Sequence, residues 1–394
     1  MTPSARVQAA IELLDGIILA ARDGGAAADT LIARYFKDRR YAGSKDRRAV
    51  REHVYAAIRL CAERPASGRA AMLALTEPQP ELVELFDGSP HAPAPISAEE
   101  ERATPGAMPY WLPPHLAEPL KNAAEQAALL ERAPLDLRVN ALKARTEQVR
   151  AHYCDALTIA GLPHALRLTE NAPVEQAALW QDGLIEIQDA GSQMIALACA
   201  AAPGMTIIDL CAGAGGKTLA LGADMAGQGK LIAADTNRDR LSRLPNRAAR
   251  AGAGFIETRL LDAGREDTVL GQLAGSADVV LVDAPCSGTG TWRRNPEARW
   301  RLNKDRLTRL VAEQARILDL AAPLVKPGGR LVYAVCALTQ AEGAGQIEAF
   351  LARHSGWRAA DLAIPAGRKY GEGRLLTPAH DGTDGFFIAA LVRI

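Results

Sequence analysis

The sequence predicts an α/β fold with a mostly parallel sheet, preceded by a helical segment and a small α+β module. From about residue 188 onward, short apolar runs alternate with helical patterns, as in parallel strands joined by crossover helices. A glycine-rich loop follows the first of these runs, at the position where such sheets bind ligands. The 394 residues are too many for one hydrophobic core and indicate two or three domains.

The first domain is predicted to be helical. Apolar residues recur at helical spacing in three stretches, at residues 7–18, 31–36 and 50–61. Residues 65–119 then hold 11 of the chain's 23 prolines, so extended and turn structure should dominate there. We place this helical domain, with its proline-rich segment, at residues 1–128.

A small α+β module is predicted at residues 129–187. Apolar runs predict strands at 137–140, 165–168 and 184–187, and the stretch between the first two predicts a helix near residues 146–161.

The third domain is predicted to span residues 188–394 and to hold the larger sheet. The final apolar run, 385–392, has no helix after it, so we expect it to pair antiparallel at the sheet edge. The expected strands that precede it are 206–210, 230–235, 255–260, 278–283 and 330–335.

Composition and cysteine spacing predict a cytoplasmic protein without a metal site. Hydrophobic residues make up 48% of the chain and charged residues 23%, and no stretch approaches the length of a membrane span. The N-terminal residues lack the apolar core of a signal peptide. None of the six cysteines forms a Cys-x-x-Cys pair, so we expect no metal site and no disulfides. We also expect a monomer.

Two stretches are strongly basic although the formal net charge is zero. Residues 34–51 carry eight Lys or Arg against two Asp, and residues 293–309 carry seven against one Glu and one Asp. A single charged stretch is usually a solvated surface. Two in a neutral protein fit contact with a polyanion better.

The glycine-rich loop is compatible with three kinds of ligand. A phosphate-binding P-loop would need glycine where Cys211 stands, and a dinucleotide fingerprint would need glycine where Thr218 stands. The third possibility is the S-adenosylmethionine loop of class I methyltransferases, which has the same strand–loop–helix geometry.

The next strands favour S-adenosylmethionine over NAD. Asp235 follows the glycines by about 20 residues, where a carboxylate can accept both ribose hydroxyls. Asp262 follows the third strand, near where adenine would lie, and residues 326–331 resemble a turn that is frequent in methyltransferases. The predicted cofactor-binding residues are Cys211, Ala212, Gly213, Ala214, Gly215, Gly216, Lys217, Asp235, Arg240, Asp262 and Asp283.

Two cysteines stand where apolar runs meet turns. Cys286 lies in Asp283-Ala284-Pro285-Cys286, and Cys336 ends Tyr333-Ala334-Val335-Cys336. Thiols beyond the carboxyl ends of parallel strands indicate covalent chemistry on a bound substrate. Buried cysteines that pack as small hydrophobes are the ordinary alternative, but the residues around these two form a specific set.

That set closely resembles the Nop/Sun family of RNA cytosine-5 methyltransferases. The resemblance is nearly continuous from residue 135 to 394 and rests on segments 137–140, 187–193, 211–217, 283–300, 326–336 and 384–387. It implies a class I S-adenosylmethionine-dependent methyltransferase, Rossmann-like, with a mostly parallel seven-stranded sheet. The N-terminal helices resemble a shortened version of the NusB-like domain that bacterial ribosomal RNA members carry.

The resemblance also implies roles for the site residues. Cys336 would attack cytosine C6, Asp283 would hydrogen-bond the N3 and amino edge, and Cys286 would assist release of the enzyme. The opposite roles for the cysteines are chemically reasonable, because DNA cytosine methyltransferases use the cysteine of a Pro-Cys pair as nucleophile. Arg138 and Asn140 have either an RNA contact or a structural role. The residues expected to contact RNA are Arg39, Arg40, Arg47, Arg48, Arg138, Asn140, Arg293 and Arg294.

Three positions depart from the family pattern. Ala337 stands where serine is common, Gly343 where asparagine follows Glu342, and Ala214 where proline is common. None is a reacting group, so we expect activity. The implied function is methylation of cytosine C5 in structured RNA, most of all 16S ribosomal RNA. The same chemistry on transfer RNA, or a role as an RNA-binding ribosome-assembly factor, remains as an alternative.

Overall fold

A computed structural model describes residues 1–170 and 172–394. The chain forms two compact units. One, here called the helical unit, comprises Met1–Arg132 and Thr291–Lys304, and the other, the sheet unit, comprises Ala133–Gly290 and Asp305–Ile394. The three domains expected from the sequence stay a prediction, and residues 291–304 pack with the helical unit although they were expected in the third domain.

The helical unit is built from amphipathic helices around one core. The first helix begins at Thr2, whose hydroxyl accepts a hydrogen bond from Ala5 N at 3.1 Å, and it ends at Gly24, whose φ of 73° suits glycine. The core contains Leu14 and Ile58, both fully buried. The helices are α1 (Pro3–Asp23), α2 (Ala28–Asp38), α3 (Ser44–Leu60), α4 (Gly68–Leu75) and α5 (Ala123–Ala128).

Residues 291–304 complete the ends of three of these helices. The buried guanidinium of Arg299 donates to the carbonyls of Ile58 and Arg59 at the end of α3, the latter at 2.8 Å. Arg301 donates to the Gly25 and Ala26 carbonyls, just beyond α1, at 2.8 and 2.7 Å. Glu297 Oε1 accepts from Ala28 N, the first residue of α2, at 3.1 Å. Cations at helix C-termini and an anion at an N-terminus complement the helix dipoles.

The sheet unit begins with a four-stranded antiparallel sheet in the order β2-β3-β1-β4. The predicted helix at 146–161 is wrong in its extent. It ends at His152, because residues 157–159 pair with the following strand through a turn in which Gly161 has a φ of 73°. The elements are β1 (Leu135–Val139), α6 (Thr146–His152), β2 (Leu157–Ile159), β3 (Leu162–Leu168), α7 (Ala178–Gln181) and β4 (Ile185–Ile187).

Within the described residues, the larger sheet has nine strands rather than the seven that the resemblance implies: the six strands predicted from the sequence and three short strands on its antiparallel side. Its order is β11-β12-β13-β9-β8-β5-β6-β7, with β10 also paired to β13. The strands are β5 (Thr206–Asp209), β6 (Lys230–Asp235), β7 (Glu257–Leu260), β8 (Ala277–Asp283), β9 (Val325–Val335), β10 (Trp357–Ala360), β11 (Arg368–Tyr370), β12 (Gly373–Leu376) and β13 (Phe386–Arg393). The helices of this region are α8 (Ala190–Ala198), α9 (Gly216–Asp224), α10 (Arg238–Leu241), α11 (Leu244–Ala251), α12 (Asp267–Leu270), α13 (Lys304–Ala321), α14 (Ala344–Arg353) and α15 (Pro378–Asp381).

Strands β5 to β9 are parallel, so their carboxyl ends meet at one edge. The last strand, β13, pairs antiparallel with β9, as predicted, with Phe387 opposite Val335. The prediction that it lies at the sheet edge is wrong, because β12 pairs with its other side. Across residues 1–170 and 172–394, no helix is long and apolar enough to cross a membrane.

Candidate active site

The glycine-rich loop joins β5 to α9 and turns back on itself at two glycines. Gly213 and Gly215 have φ angles of 56° and 85°, in the region that side chains disfavour. The carboxylate of Asp235, at the end of β6, accepts hydrogen bonds from Gly213 N at 2.7 Å and from Asn237 N at 2.6 Å. The second strand therefore fixes the conformation of the loop on the first.

Two glycines of the loop lie close to neighbouring side chains. A Cβ at Gly213 would lie 2.6 Å from Arg240 Nη2, and one at Gly215 would lie 2.2 Å from Leu244 Cδ1. Arg240 thus lies against the loop, whereas Asp262 lies exposed in the turn that follows β7, and the cofactor contacts of both residues stay predictions. A bare backbone next to a strand-end carboxylate fits S-adenosylmethionine, which presents ribose hydroxyls and no phosphate.

Two acidic side chains lie near the loop in different environments. Lys217 Nζ donates to Asp283 Oδ2 at 2.6 Å. Burial alone would lower the pKa of Lys217, but the charge of Asp283 and this bond raise it. Asp209 is buried at the end of β5, and Thr218 Oγ1 donates to its Oδ2 at 2.7 Å. Burial raises the pKa of Asp209 to about 7.

The two predicted catalytic cysteines lie side by side. Their strands are neighbours, with Asp283 of β8 opposite Ala334 of β9, and the Sγ atoms of Cys286 and Cys336 are 3.2 Å apart. One thiol can therefore donate a hydrogen bond to the other sulfur. That bond, together with burial, raises the pKa of Cys286 well above the ordinary value of a thiol.

A buried network joins the loops that carry these cysteines. Glu342 Oε1 accepts from Ser287 N at 2.7 Å and from Gln314 Nε2 at 3.0 Å, and its Oε2 accepts from Thr339 Oγ1 at 2.8 Å. Thr289 Oγ1 accepts from Leu338 N at 2.8 Å. Sequence reasoning assigned none of these residues to the site. Their one signal was the position of Glu342, six residues after Cys336.

The first basic stretch divides into engaged and exposed side chains. Arg39 pairs with Glu12 at 3.4 Å and lies over the Tyr35 ring at 3.7 Å. Arg47 Nε donates to the Ala42 carbonyl at 2.9 Å. Arg40, Arg47 and Arg48 are exposed. RNA binding by these four arginines stays a prediction, and Arg40 and Arg48 are the better placed for it, because Arg39 and Arg47 already have partners within the helical unit.

The other predicted RNA contacts are largely buried. Arg138 Nε donates to Gln188 Oε1 at 2.6 Å, and Asn140 Nδ2 donates to the carbonyls of Gly183 and Ala251, both at 2.8 Å. These bonds give Arg138 and Asn140 a structural role within the sheet unit.

Two arginines of the second basic stretch, Arg293 and Arg294, lie within the helical unit. Arg293 is 7% exposed and donates to the Arg132 carbonyl at 3.1 Å, and Arg294 is half-buried. RNA contacts from Arg293, Arg294, Arg138 and Asn140 stay predictions.

Two of the three departures have visible neighbours. A Cβ at Gly343 would lie 3.0 Å from Phe387 Cγ, so this chain leaves little room there for the usual asparagine. The Ala214 carbonyl accepts from Arg247 Nη1 at 2.7 Å, and this bond holds the loop where proline is common. Ala337 is fully buried.

Comparisons with known proteins identify the family of this chain. The family model of 16S rRNA methyltransferase RsmB/F matches residues 195–392. A ribosomal RNA small subunit methyltransferase B from Xylella fastidiosa is 33% identical over 306 residues, which cover 75% of this chain and 70% of that protein. The chain belongs to the RsmB/F family. This membership confirms the predicted family and the cofactor, S-adenosylmethionine.

Further relatives support the same assignment. A probable ribosomal RNA small subunit methyltransferase B from Synechocystis is 36% identical over 301 residues, which cover 72% of this chain and 66% of that protein. A solved methyltransferase homologue from Pyrococcus horikoshii is 25% identical, with a TM-score of 0.61, and covers 69% of this chain and 90% of its own. The predicted fold class is confirmed, and RsmB/F membership supports S-adenosylmethionine-dependent methylation of ribosomal RNA.

Proposed function

We propose that this RsmB/F protein methylates C5 of a cytosine in 16S ribosomal RNA, with Cys336 as the nucleophile. The observation that carries the proposal is the 3.2 Å separation of the Cys286 and Cys336 sulfur atoms, beyond two parallel strands that also present Asp283. Family membership supports the RNA substrate. A ribosomal RNA substrate also fits the cytoplasmic location expected from the sequence.

Cys336 makes C5 of the cytosine more nucleophilic by adding to C6. C5 of cytosine is a poor nucleophile, and addition of a thiolate to C6 moves the electron pair of the C5–C6 double bond onto C5. The Cys336 sulfur forms the bond to C6 and holds the base covalently. When bound, S-adenosylmethionine supplies an electrophilic methyl group on a sulfonium.

Asp283 acts on the opposite edge of the base. Its carboxylate accepts hydrogen bonds from the exocyclic amino group and from N3 once N3 has taken a proton from solvent, and so stabilises the protonated base that the thiolate attacks. Lys217 holds the Oδ2 atom of Asp283 at 2.6 Å and so fixes the orientation of the carboxylate before the base arrives. A preorganised group of this kind does not have to be reoriented during the reaction.

Cys286 assists the release of the enzyme. After methylation, a base removes the C5 proton, the C5–C6 double bond re-forms, and the electron pair of the C6–S bond returns to the Cys336 sulfur. At 3.2 Å, the thiol of Cys286 can donate a hydrogen bond to that leaving thiolate. The raised pKa of Cys286 keeps its proton available for this bond.

The target cytosine has to leave its stack to reach the cysteines, at a cost of a few kcal/mol that is smaller in a loop. Arg40 and Arg48, both exposed, would bind flanking phosphates of the RNA. A structured RNA with an unpaired cytosine therefore fits this site better than an uninterrupted duplex.

The test is to incubate the purified protein with S-adenosylmethionine labelled on the methyl group and with 16S ribosomal RNA or total transfer RNA. Bisulfite sequencing then locates any new 5-methylcytosine. We expect one labelled cytosine in 16S RNA, and none with Cys336→Ala. Label in transfer RNA would show that transfer RNA is the substrate. RNA binding without label would favour an assembly factor. Label on any atom other than C5 would refute the proposed chemistry.

A further inference from the structure

The two reactive thiols lie beyond the hydrogen-bonded parts of their strands. Strands β8 and β9 end at Asp283 and Val335, so Cys286 and Cys336 stand on loops that no regular ladder holds together. Their 3.2 Å separation therefore depends on contacts between the loops. One of these contacts is the hydrogen bond from Gly290 N to the Cys336 carbonyl, at 3.0 Å.

Glu342 connects the two loops through its side chain. Its side chain is fully buried, and its two carboxylate oxygens accept from different places. Oε1 accepts from the backbone N–H of Ser287, the residue after Cys286, and Oε2 accepts from the hydroxyl of Thr339, three residues after Cys336. Gln314 of α13 donates to the same Oε1 and also to the Pro285 carbonyl, both at 3.0 Å.

We propose that Glu342 is a positioning residue that fixes the distance between Cys286 and Cys336. This inference rests on the proposed function, because it concerns the two thiols to which that function assigns attack and release. The side chain of Glu342 bonds to Ser287 N on one loop and to the Thr339 hydroxyl on the other rather than to either sulfur, so it acts through the two loops.

A carboxylate suits this place for two reasons. It offers two acceptor oxygens on one rigid group, whereas a glutamine offers one oxygen and a donor. Hydrogen bonds to an ionised acceptor are also about twice as strong as neutral ones. A buried carboxylate is costly unless its oxygens are satisfied, and three neutral donors satisfy this one.

The positional role predicts a specific kinetic effect. A loosened connection would let the thiols separate, and a misplacement of about 1 Å can cost on the order of 100-fold in rate. The binding of RNA and of the cofactor uses other groups. Loss of Glu342 should therefore lower kcat and leave KM for RNA and the affinity for S-adenosylmethionine unchanged.

The experiment compares Glu342→Gln and Thr339→Val with Glu266→Gln. The last variant removes the charge of another buried glutamate, which pairs with Arg316 at 2.8 Å outside this network. We expect kcat to fall at least tenfold in Glu342→Gln and by a smaller factor in Thr339→Val, with KM within twofold and similar melting temperatures. The control should keep its full kcat.

A second readout does not use methyl transfer. Dibromobimane becomes fluorescent when it joins two neighbouring thiols, and mass spectrometry can map the joined pair. We expect rapid joining of Cys286 to Cys336 in the wild type and in Glu266→Gln, and slower joining in Glu342→Gln and Thr339→Val. If Glu342→Gln does not fold, the joining rate and kcat of Thr339→Val, which keeps the side-chain volume, test the positioning role.

The outcomes separate the two proposals. Wild-type joining rates in Thr339→Val, together with full kcat, would overturn the positioning role whatever reaction the protein performs. Slow joining in both network variants of a protein that methylates some atom other than C5 would keep the positioning role and refute the proposed function.

Discussion

The sulfur atoms of Cys286 and Cys336 lie 3.2 Å apart although 50 positions separate the residues in the chain. The parallel pairing of β8 with β9 brings them together, since each follows the carboxyl end of one of these strands. Two thiols at this distance can share one proton. The roles of the two cysteines can be distinguished experimentally by the covalent RNA adduct that forms, or does not form, when each cysteine is replaced.

The first prediction concerns covalent intermediates. Cys336→Ala should abolish both methyl transfer and any covalent RNA adduct, because no thiolate would remain to add to C6. Cys286→Ala should still attack and methylate but release slowly, because the leaving thiolate would lose its hydrogen-bond donor. Denaturing gels with labelled RNA measure the adduct.

Cys154→Ala is a suitable control for both variants, because this exposed cysteine follows α6 in the sheet unit and belongs to neither of the two loops. An adduct that accumulates with Cys336→Ala and disappears with Cys286→Ala would reverse the two roles.

The second prediction concerns the reactivity of Cys286. Its pKa is raised first by the hydrogen bond to Cys336 and then by burial. Only the thiolate is alkylated, so Cys286 should react slowly with iodoacetamide between pH 7 and pH 9. Cys336→Ala removes the first cause, so the pKa of Cys286 should fall and its alkylation at a given pH should become faster. Mass spectrometry of the alkylated peptide gives the rates. An identical pH profile in both proteins would exclude the shared proton.

The third prediction concerns cofactor affinity. Asp235→Ala should weaken binding of S-adenosylmethionine by roughly 1.5–3 kcal/mol, the range for hydrogen bonds to charged groups. It would remove the proposed ribose acceptor and also free Gly213 N, which the carboxylate now holds at 2.7 Å. Titration calorimetry measures the change. Asp239→Ala, an exposed carboxylate on α10, is the matched control. Equal affinity in the Asp235 variant and the wild type would exclude the ribose contact.

The fourth prediction divides the basic stretch of the helical unit. Replacing Arg40 and Arg48 with Ala should weaken RNA binding and reduce its salt dependence, by about 0.7 in the log–log slope for each lost contact with single-stranded RNA. Replacing Arg39 and Arg47 should have a smaller effect, because Arg39 already pairs with Glu12 and Arg47 with the Ala42 carbonyl.

Filter binding at several salt concentrations measures both slopes. Alanine at Arg259 and Arg353 removes the same charge from the sheet unit and serves as the control. Equal slopes for the wild type and for the variant with alanine in place of Arg40 and Arg48 would show that these two arginines are solvated surface charges.

The fifth prediction concerns stability and pH. Burial raises the pKa of Asp209 from 3.8 to about 7. A raised folded-state pKa gives stability that is complete below pH 4 and is lost as the pH rises to about 7, by at most on the order of 4 kcal/mol. The asparagine of Asp209→Asn cannot ionise. The free energy of unfolding of this variant should therefore increase relative to that of the wild type as the pH rises from 4 to 7. Urea unfolding at several pH values measures this, with Asp239→Asn as control. A constant difference across that range would show that Asp209 is ionised throughout.

Sequence patterns predicted the elements whose signal is local. The strands before Asp209, Asp235 and Asp283 follow from apolar runs that end at a polar residue, and parallel pairing then places their ends together. The meeting of Cys286 and Cys336 follows from the same rule. The predicted helix at 146–161 was too long, because helical periodicity alone did not show where the β2–β3 hairpin begins.

The network around the cysteines depends on contacts that no local pattern encodes. Glu342 reads as a polar residue in a loop, and only the fold brings it to Ser287 N. Charge patterning has a similar limit. The stretch that contains Arg299 looks like a basic surface in the sequence, but its guanidinium is buried against backbone carbonyls, and a count of positive charges cannot distinguish the two situations.

The capping of three helix ends by Glu297, Arg299 and Arg301 limits how relatives of this protein can exchange parts. A chimera that replaces residues 1–132 alone would pair helices from another protein with the capping residues of this one. A fragment of residues 133–394 alone would expose Trp300, which packs in the core of the helical unit. We therefore expect a chimera of two family members to fold when residues 291–304 and the N-terminal helices come from the same protein. Residues 1–132 and 291–304 thus form one structural unit for recombination, although residues 133–290 of the sheet unit lie between them in the sequence.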